Sequence, residues 1–137
     1  MEKQSFRRVG IVGAGTMGRG IAQVFAQREW QVVLTDPSQA QLSAAMDAIS
    51  QALDREVKKS RMVQSEMEKA LGRIELAAEL SLMASVDLVV EAVSESVQVK
   101  RGVFARLNKI CRRGVILASN TSSISIARLA AAQAALD

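Results

Sequence analysis

Three glycines and one aspartate carry the clearest chemical pattern in this chain. Gly13, Gly15 and Gly18 lie in VGIVGAGTMGRG with the spacing GxGxxG, and Asp36 ends the apolar run VVLTD about 20 residues further on. Each residue type answers a physical demand. Gly13 permits a tight turn out of a strand, Gly15 lacks the Cβ that would keep a pyrophosphate off the backbone, and Gly18 lets the following helix pack closely on a sheet. The first amides of that helix, contributed through Ala14, Thr16 and Met17, have no intrahelical acceptor and suit phosphate oxygens. A carboxylate at Asp36 can accept hydrogen bonds from ribose hydroxyls and repels a 2′-phosphate. The pattern therefore predicts a dinucleotide site that prefers NAD to NADP, with FAD as the minor alternative because it uses the same fingerprint.

The elements needed to position these groups can be read in order. Residues 7–12 read as a first, fully buried strand, 16–28 as a helix with Met17, Ile21, Val24, Phe25 and Arg28 on one stripe, and 31–35 as a second strand. Ser38 or Asp36 caps a long amphipathic helix over 38–58, whose apolar face carries Leu42, Ala45, Met46, Ile49, Leu53 and Val57. Its basic end, with Arg55, Lys58, Lys59 and Arg61, complements the helix dipole or offers a landing site for a phosphorylated substrate. A second helix begins at Ser65 with the capping box SEME and stops near Gly72. Residues 38–72 thus form an inserted helical arm, able to cover a ligand or reach a partner.

Residues 74–77 read as a short strand, 80–83 as a helical turn, and 87–93 (DLVVEAV) as a well-defined strand. A helix over 98–111 follows, with Val99, Val103, Phe104, Leu107 and Ile110 on one side. A strand over 115–119 then leads into the polar loop Asn120, Thr121, Ser122 and Ser123, and a closing helix contains Ile126 and Leu129. This order predicts an α/β domain: a doubly wound, mostly parallel sheet whose ligand edge gathers Gly13, Asp36, the end of VVEAVSE and the SNTSS loop.

Composition narrows the function classes. Apolar residues make up 49% of the 137, ordinary for one globular domain with one core. The net charge of +4 is spread along the chain without aromatic interleaving, so nucleic-acid binding is not expected. No apolar run is long enough for a membrane span, and the N-terminus has no signal-peptide core. Cys111 is the only cysteine, which excludes an internal disulfide and fits a reducing cytoplasm. There is no histidine, so neither imidazole acid–base chemistry nor imidazole metal binding can come from these residues.

With these motifs in view, IVGAGTMGRGIAQVFA, LTD, DLVVEAVSESVQVK and ILASNTSSISI together resemble the N-terminal domain of bacterial 3-hydroxyacyl-CoA dehydrogenases, especially those acting on 3-hydroxybutyryl-CoA. The glycine motif is generic; its combination with VVEAVSE and SNTSS is specific, and the likeness covers nearly the whole chain. The resemblance implies a Rossmann-type domain over 1–137 that uses NAD in acyl-CoA metabolism. It makes Asp36 the ribose-binding aspartate and places Glu95, Lys100 and Asn120 in the cofactor cleft. Ser122 is implied to bind the substrate hydroxyl or carbonyl oxygen, and Lys59 to lie near the CoA phosphates. Considered without the resemblance, Lys100 also reads as a solvated helix lysine, and an ordinary loop or cap reading competes for Asn120 and Ser122.

Two departures stand out. Ala52 replaces a serine that contacts CoA in some relatives, and Trp30 replaces a residue usually small or histidine. The resemblance further implies parts that these residues do not include: a final strand ending in a motif like HFFNP with the catalytic histidine, a glutamate paired with it, and a helical domain that forms the dimer. The expectation is a chain that binds NAD without turnover of its own. A non-catalytic binding module, or a fragment needing a complementary domain, is the alternative. A homodimer or strand-exchanged oligomer is an expected way to cover the exposed sheet edge.

Overall fold

The computed structural model describes residues 8–93, 97–112 and 115–119. Five parallel strands form one sheet: β1 (Arg8–Val12), β2 (Gln31–Thr35), β3 (Ile74–Ala77), β4 (Leu88–Glu91) and β5 (Ile116–Ser119). Their spatial order is β3-β2-β1-β4-β5, so the chain winds outward from β1 in one direction and then, from β4, in the other. The reversal falls between β1 and β4, where open α/β sheets bind ligands. In register, Val12 stands beside Thr35 on one side and Glu91 on the other.

The apolar runs resolve into two faces because side chains alternate along a strand. Val9, Ile11, Val32, Leu34 and Val90 face one core with α1 (Thr16–Gln27), α2 (Gln39–Lys58) and α3 (Gln64–Gly72). Val12, Val33 and Val89 face a second core, with the 3₁₀ helix Leu80–Ser85 and α4 (Val97–Ile110). On this second face, a Cβ at Gly10 would stand 2.1 Å from Met83 Sδ, so the 3₁₀ helix rests directly on bare backbone.

The strands and the long helix match their expected positions to within a few residues, and the Ser38 hydroxyl accepts from the Gln41 amide at 3.1 Å as the cap of α2. Four details differ. First, α1 turns its small residues, Gly18, Ala22 and Ala26, to the sheet, leaving Met17 and Val24 exposed. Close packing at Gly18 decides this: a Cβ there would meet the Gly13 carbonyl oxygen at 1.7 Å.

Second, α3 starts at Gln64, with Val63 in the cap position, and the Glu66 carboxylate accepts from the Val63 amide at 3.4 Å. Met62 and Met67, on either side of that cap, pack on the same core, and this apolar staple sets the start ahead of Ser65. Third, α3 does stop at Gly72 as expected, but without a left-handed cap: Arg73 follows it and donates to the Ala26 carbonyl at 2.6 Å, tying the arm to α1.

Fourth, α4 buries Lys100, Phe104 and Leu107, while Val99 is exposed. Lys100 is therefore not a solvated lysine. Trp30 meets Phe25 edge-on at 4.9 Å between ring centroids, closing the end of α1.

Candidate functional site

The turn between β1 and α1 is held from both sides. The Gly13 amide donates to the Thr35 carbonyl at 2.8 Å, and the Ala92 amide to the Val12 carbonyl at 2.7 Å. Gly13 has φ +109°, a conformation that disfavours a side chain, and a Cβ there would also lie 2.7 Å from the Ala92 carbonyl oxygen. Gly15 is different. It precedes α1 without a side-chain cap, and a Cβ built on it meets nothing nearer than Gln41 Nε2 at 3.8 Å. The space above Gly15 is an open cradle beside uncapped helix amides, which fits a pyrophosphate.

Asp36 follows the last residue of β2 on the same edge. One carboxylate oxygen accepts from the Ala14 amide at 3.0 Å and the other from the Ser38 amide at 2.9 Å. Asp36 thereby locks the glycine turn to the start of α2. Each oxygen keeps a lone pair for a ribose hydroxyl. Gly13, Gly15, Thr16, Met17 and Asp36 all line one cavity of about 610 Å³, ample for part of a dinucleotide. Ala14 and Gly18 stand behind its wall, both buried.

Other expected site residues are placed differently. Lys100 does not line the cavity: its ammonium lies 2.7 Å from a Glu91 oxygen and 3.3 Å from the Val93 carbonyl oxygen, with the side chain 1% exposed. The same Glu91 oxygen accepts from the Val93 amide at 2.6 Å, so the acid and the lysine together fix the residue at which the chain leaves β4. Lys59 follows the last residue of α2 and the cavity abuts its first turn, so the two are about 30 Å apart along a 20-residue helix. Near Lys59, Lys58 pairs with Asp54 and Arg61 with Glu56. Glu95, Asn120 and Ser122, together with the closing helix, lie outside the described residues.

Glu91 and Arg106 escaped the sequence reading. An acid within DLVVEAV and a lysine at a core-facing position of the next helix were the available signal for the Glu91–Lys100 pair. Arg106, which lines the cavity from α4, follows Val99 and Val103 at helical spacing. Among the described residues no group of three or more His, Cys, Asp or Glu side chains could hold a metal ion, and no helix is long and apolar enough to cross a membrane.

Comparison with known proteins agrees with this geometry. The family model described as 3-hydroxyacyl-CoA dehydrogenase, NAD binding domain, matches residues 8–136. A 3-hydroxybutyryl-CoA dehydrogenase from Bradyrhizobium diazoefficiens is 44% identical over 126 residues, covering 92% of this chain and 43% of that protein. The crystal structure of (S)-3-hydroxybutyryl-CoA dehydrogenase from Ralstonia eutropha superposes with a TM-score of 0.88 at 40% identity, over 93% of this chain and 45% of that one. The 3-hydroxybutyryl-CoA dehydrogenase structure from Escherichia coli gives the same TM-score, 0.88, at 39% identity over 92% of this chain and 27% of that one. The chain thus spans less than half the length of each of these relatives.

Proposed function

This chain belongs to the 3-hydroxyacyl-CoA dehydrogenase family, matching its NAD-binding domain, and from that premise we propose that it supplies the cofactor half of a site oxidising the 3-hydroxyl of a CoA thioester, or reducing the 3-oxo group. The observation that carries the reading is the convergence of the open space over Gly15 and the Asp36 carboxylate on one cavity at the sheet's reversal. When bound, NAD supplies the hydride acceptor.

The chain's own residues bind and orient. The Gly13–Gly15 turn and the first amides of α1 receive the pyrophosphate. Asp36 accepts from the ribose hydroxyls and disfavours a 2′-phosphate. On the family pattern, Glu95 and Asn120 serve the cofactor cleft, Ser122 holds the reacting substrate oxygen, and Lys59 meets the CoA phosphates; Lys100, buried against Glu91, acts by holding Val93 where the chain leaves β4. These 137 residues contain no histidine, so they supply no imidazole base for the hydroxyl proton. The family reading favours a homodimer, and the single cysteine suits a reducing cytoplasm.

The test is NADH titration of the purified chain, followed by nicotinamide fluorescence, beside an assay of NADH formation from 3-hydroxybutyryl-CoA. The expected result is saturable NADH binding with turnover at least about a thousandfold below that of a complete relative, since a positioned acid–base group supplies roughly 10²–10⁴. A folded chain that binds no NADH would overturn the proposal.

A further inference from the structure

One wall of the cavity is not explained by the glycine turn and Asp36. Val99, Val103 and Arg106 follow one another at spacings of four and three along α4 and line the same cavity, so they form one stripe on one helix face. Leu80, at the start of the 3₁₀ helix, adds to this apolar surface. Val99 is 46% exposed, a large apolar side chain left uncovered beside the cavity. Arg106 is exposed, makes no ion pair or hydrogen bond among the described residues, and is the one cation among the described residues lining the cavity.

A flat, weakly polar ring meets these conditions. With the adenosine ribose on Asp36, the base would face an aliphatic surface of the same cavity that ends in a guanidinium unpaired among the described residues. Arginine's planar, weakly hydrated head stacks on a π face better than an ammonium does. We propose that Arg106 binds the adenine ring of the dinucleotide, its guanidinium stacked on one face of the base while Val99 and Val103 provide the apolar contact. The inference rests on the NAD reading above and adds to it a residue that selects for the base.

The experiment is calorimetric titration of the whole chain, native and as Arg106→Ala and Arg106→Lys, with NAD, AMP and adenosine, the last by competition against AMP. Arg106 is a surface side chain, so unchanged thermal midpoints serve as the folding control. The expected result is that Arg106→Ala weakens all three ligands by a similar factor of about five, in the range of a partly desolvated cation–π contact. Arg106→Lys should recover little of it. A loss confined to NAD and AMP, restored by lysine, would overturn the proposal and assign Arg106 to phosphate. Equal affinity of native and Arg106→Ala chains for all three would also overturn it. Failure of the native chain to bind NAD or AMP would instead sink the cofactor reading, and the inference with it.

Discussion

The Lys100 ammonium lies 2.7 Å from the Glu91 carboxylate with both side chains out of solvent, 1% and 0% exposed, next in sequence to the cavity-lining Ala92 and Val99. Removing one member of such a pair strands the other as a buried charge, which costs far more than the net value of the pair. Glu91→Gln keeps an oxygen for the Val93 amide and so isolates the charge effect. Urea denaturation should show Glu91→Gln and Lys100→Met each destabilised by about 3–5 kcal/mol, with much of the loss recovered in the double variant. Additive losses would show that the two side chains do not act as a pair.

Two glycines of α1 should respond oppositely to alanine. A Cβ at Gly18 meets backbone at 1.7 Å, while one at Gly20 meets nothing within 4 Å. Gly18→Ala must push α1 off the sheet and should cost about 3 kcal/mol. Gly20→Ala, in an exposed helical position, should gain up to about 1 kcal/mol. Thermal unfolding of the two variants provides the check, and similar shifts would contradict the close approach at Gly18.

Gly15 separates binding from folding. Its Cβ would point into open space, with the nearest atom 3.8 Å away. Gly15→Ala should therefore unfold within about 0.5 kcal/mol of the native chain. Its NAD affinity should fall by about tenfold or more because the methyl group occupies the phosphate approach. Retained NAD affinity would place the pyrophosphate elsewhere.

Cys111 gives a pH dependence. Burial raises its thiol above the ordinary value, and the Arg112 charge offsets part of that rise. The folded chain holds this proton to higher pH than the unfolded chain does. The associated stability is complete below the unfolded thiol's pKa and is lost as pH rises through the folded value. The stability difference between the native chain and Cys111→Ser should be constant near pH 7 and shift against the native chain above about pH 9. Urea titrations across that range test it; a shift in favour of the native chain would reverse the assignment.

The strands were legible in the sequence because VGIV, VVL and LVV are continuous apolar runs, and their parallel order follows from the alternation with helices. The glycine turn and Asp36 were legible because backbone geometry constrains residue type there. Helix faces were harder to read. On α1 the largest apolar residues are not the buried ones, because Gly18, Ala22 and Ala26 take the sheet where close approach excludes bulk; on α4 Lys100 shares the core with Phe104 and Leu107 because Glu91 neutralises it. The start of α3 was set by Met62 and Met67 packing on a core that local spacing does not reveal. Lys100 shows the same limit at the site: its spacing matches the buried Phe104 and Leu107, but its residue type reads as solvated and its partner lies on a strand.

The most direct test of the NAD-binding account is calorimetric titration of the native chain with NAD and NADP, beside Asp36→Ala. The account predicts saturable NAD binding, NADP weaker by about tenfold or more, and a weakened NAD complex when Asp36 is removed, because its carboxylate both accepts from ribose and holds the Ala14 amide. A folded chain that binds neither nucleotide at millimolar concentration, or both equally with Asp36→Ala unchanged, would contradict it.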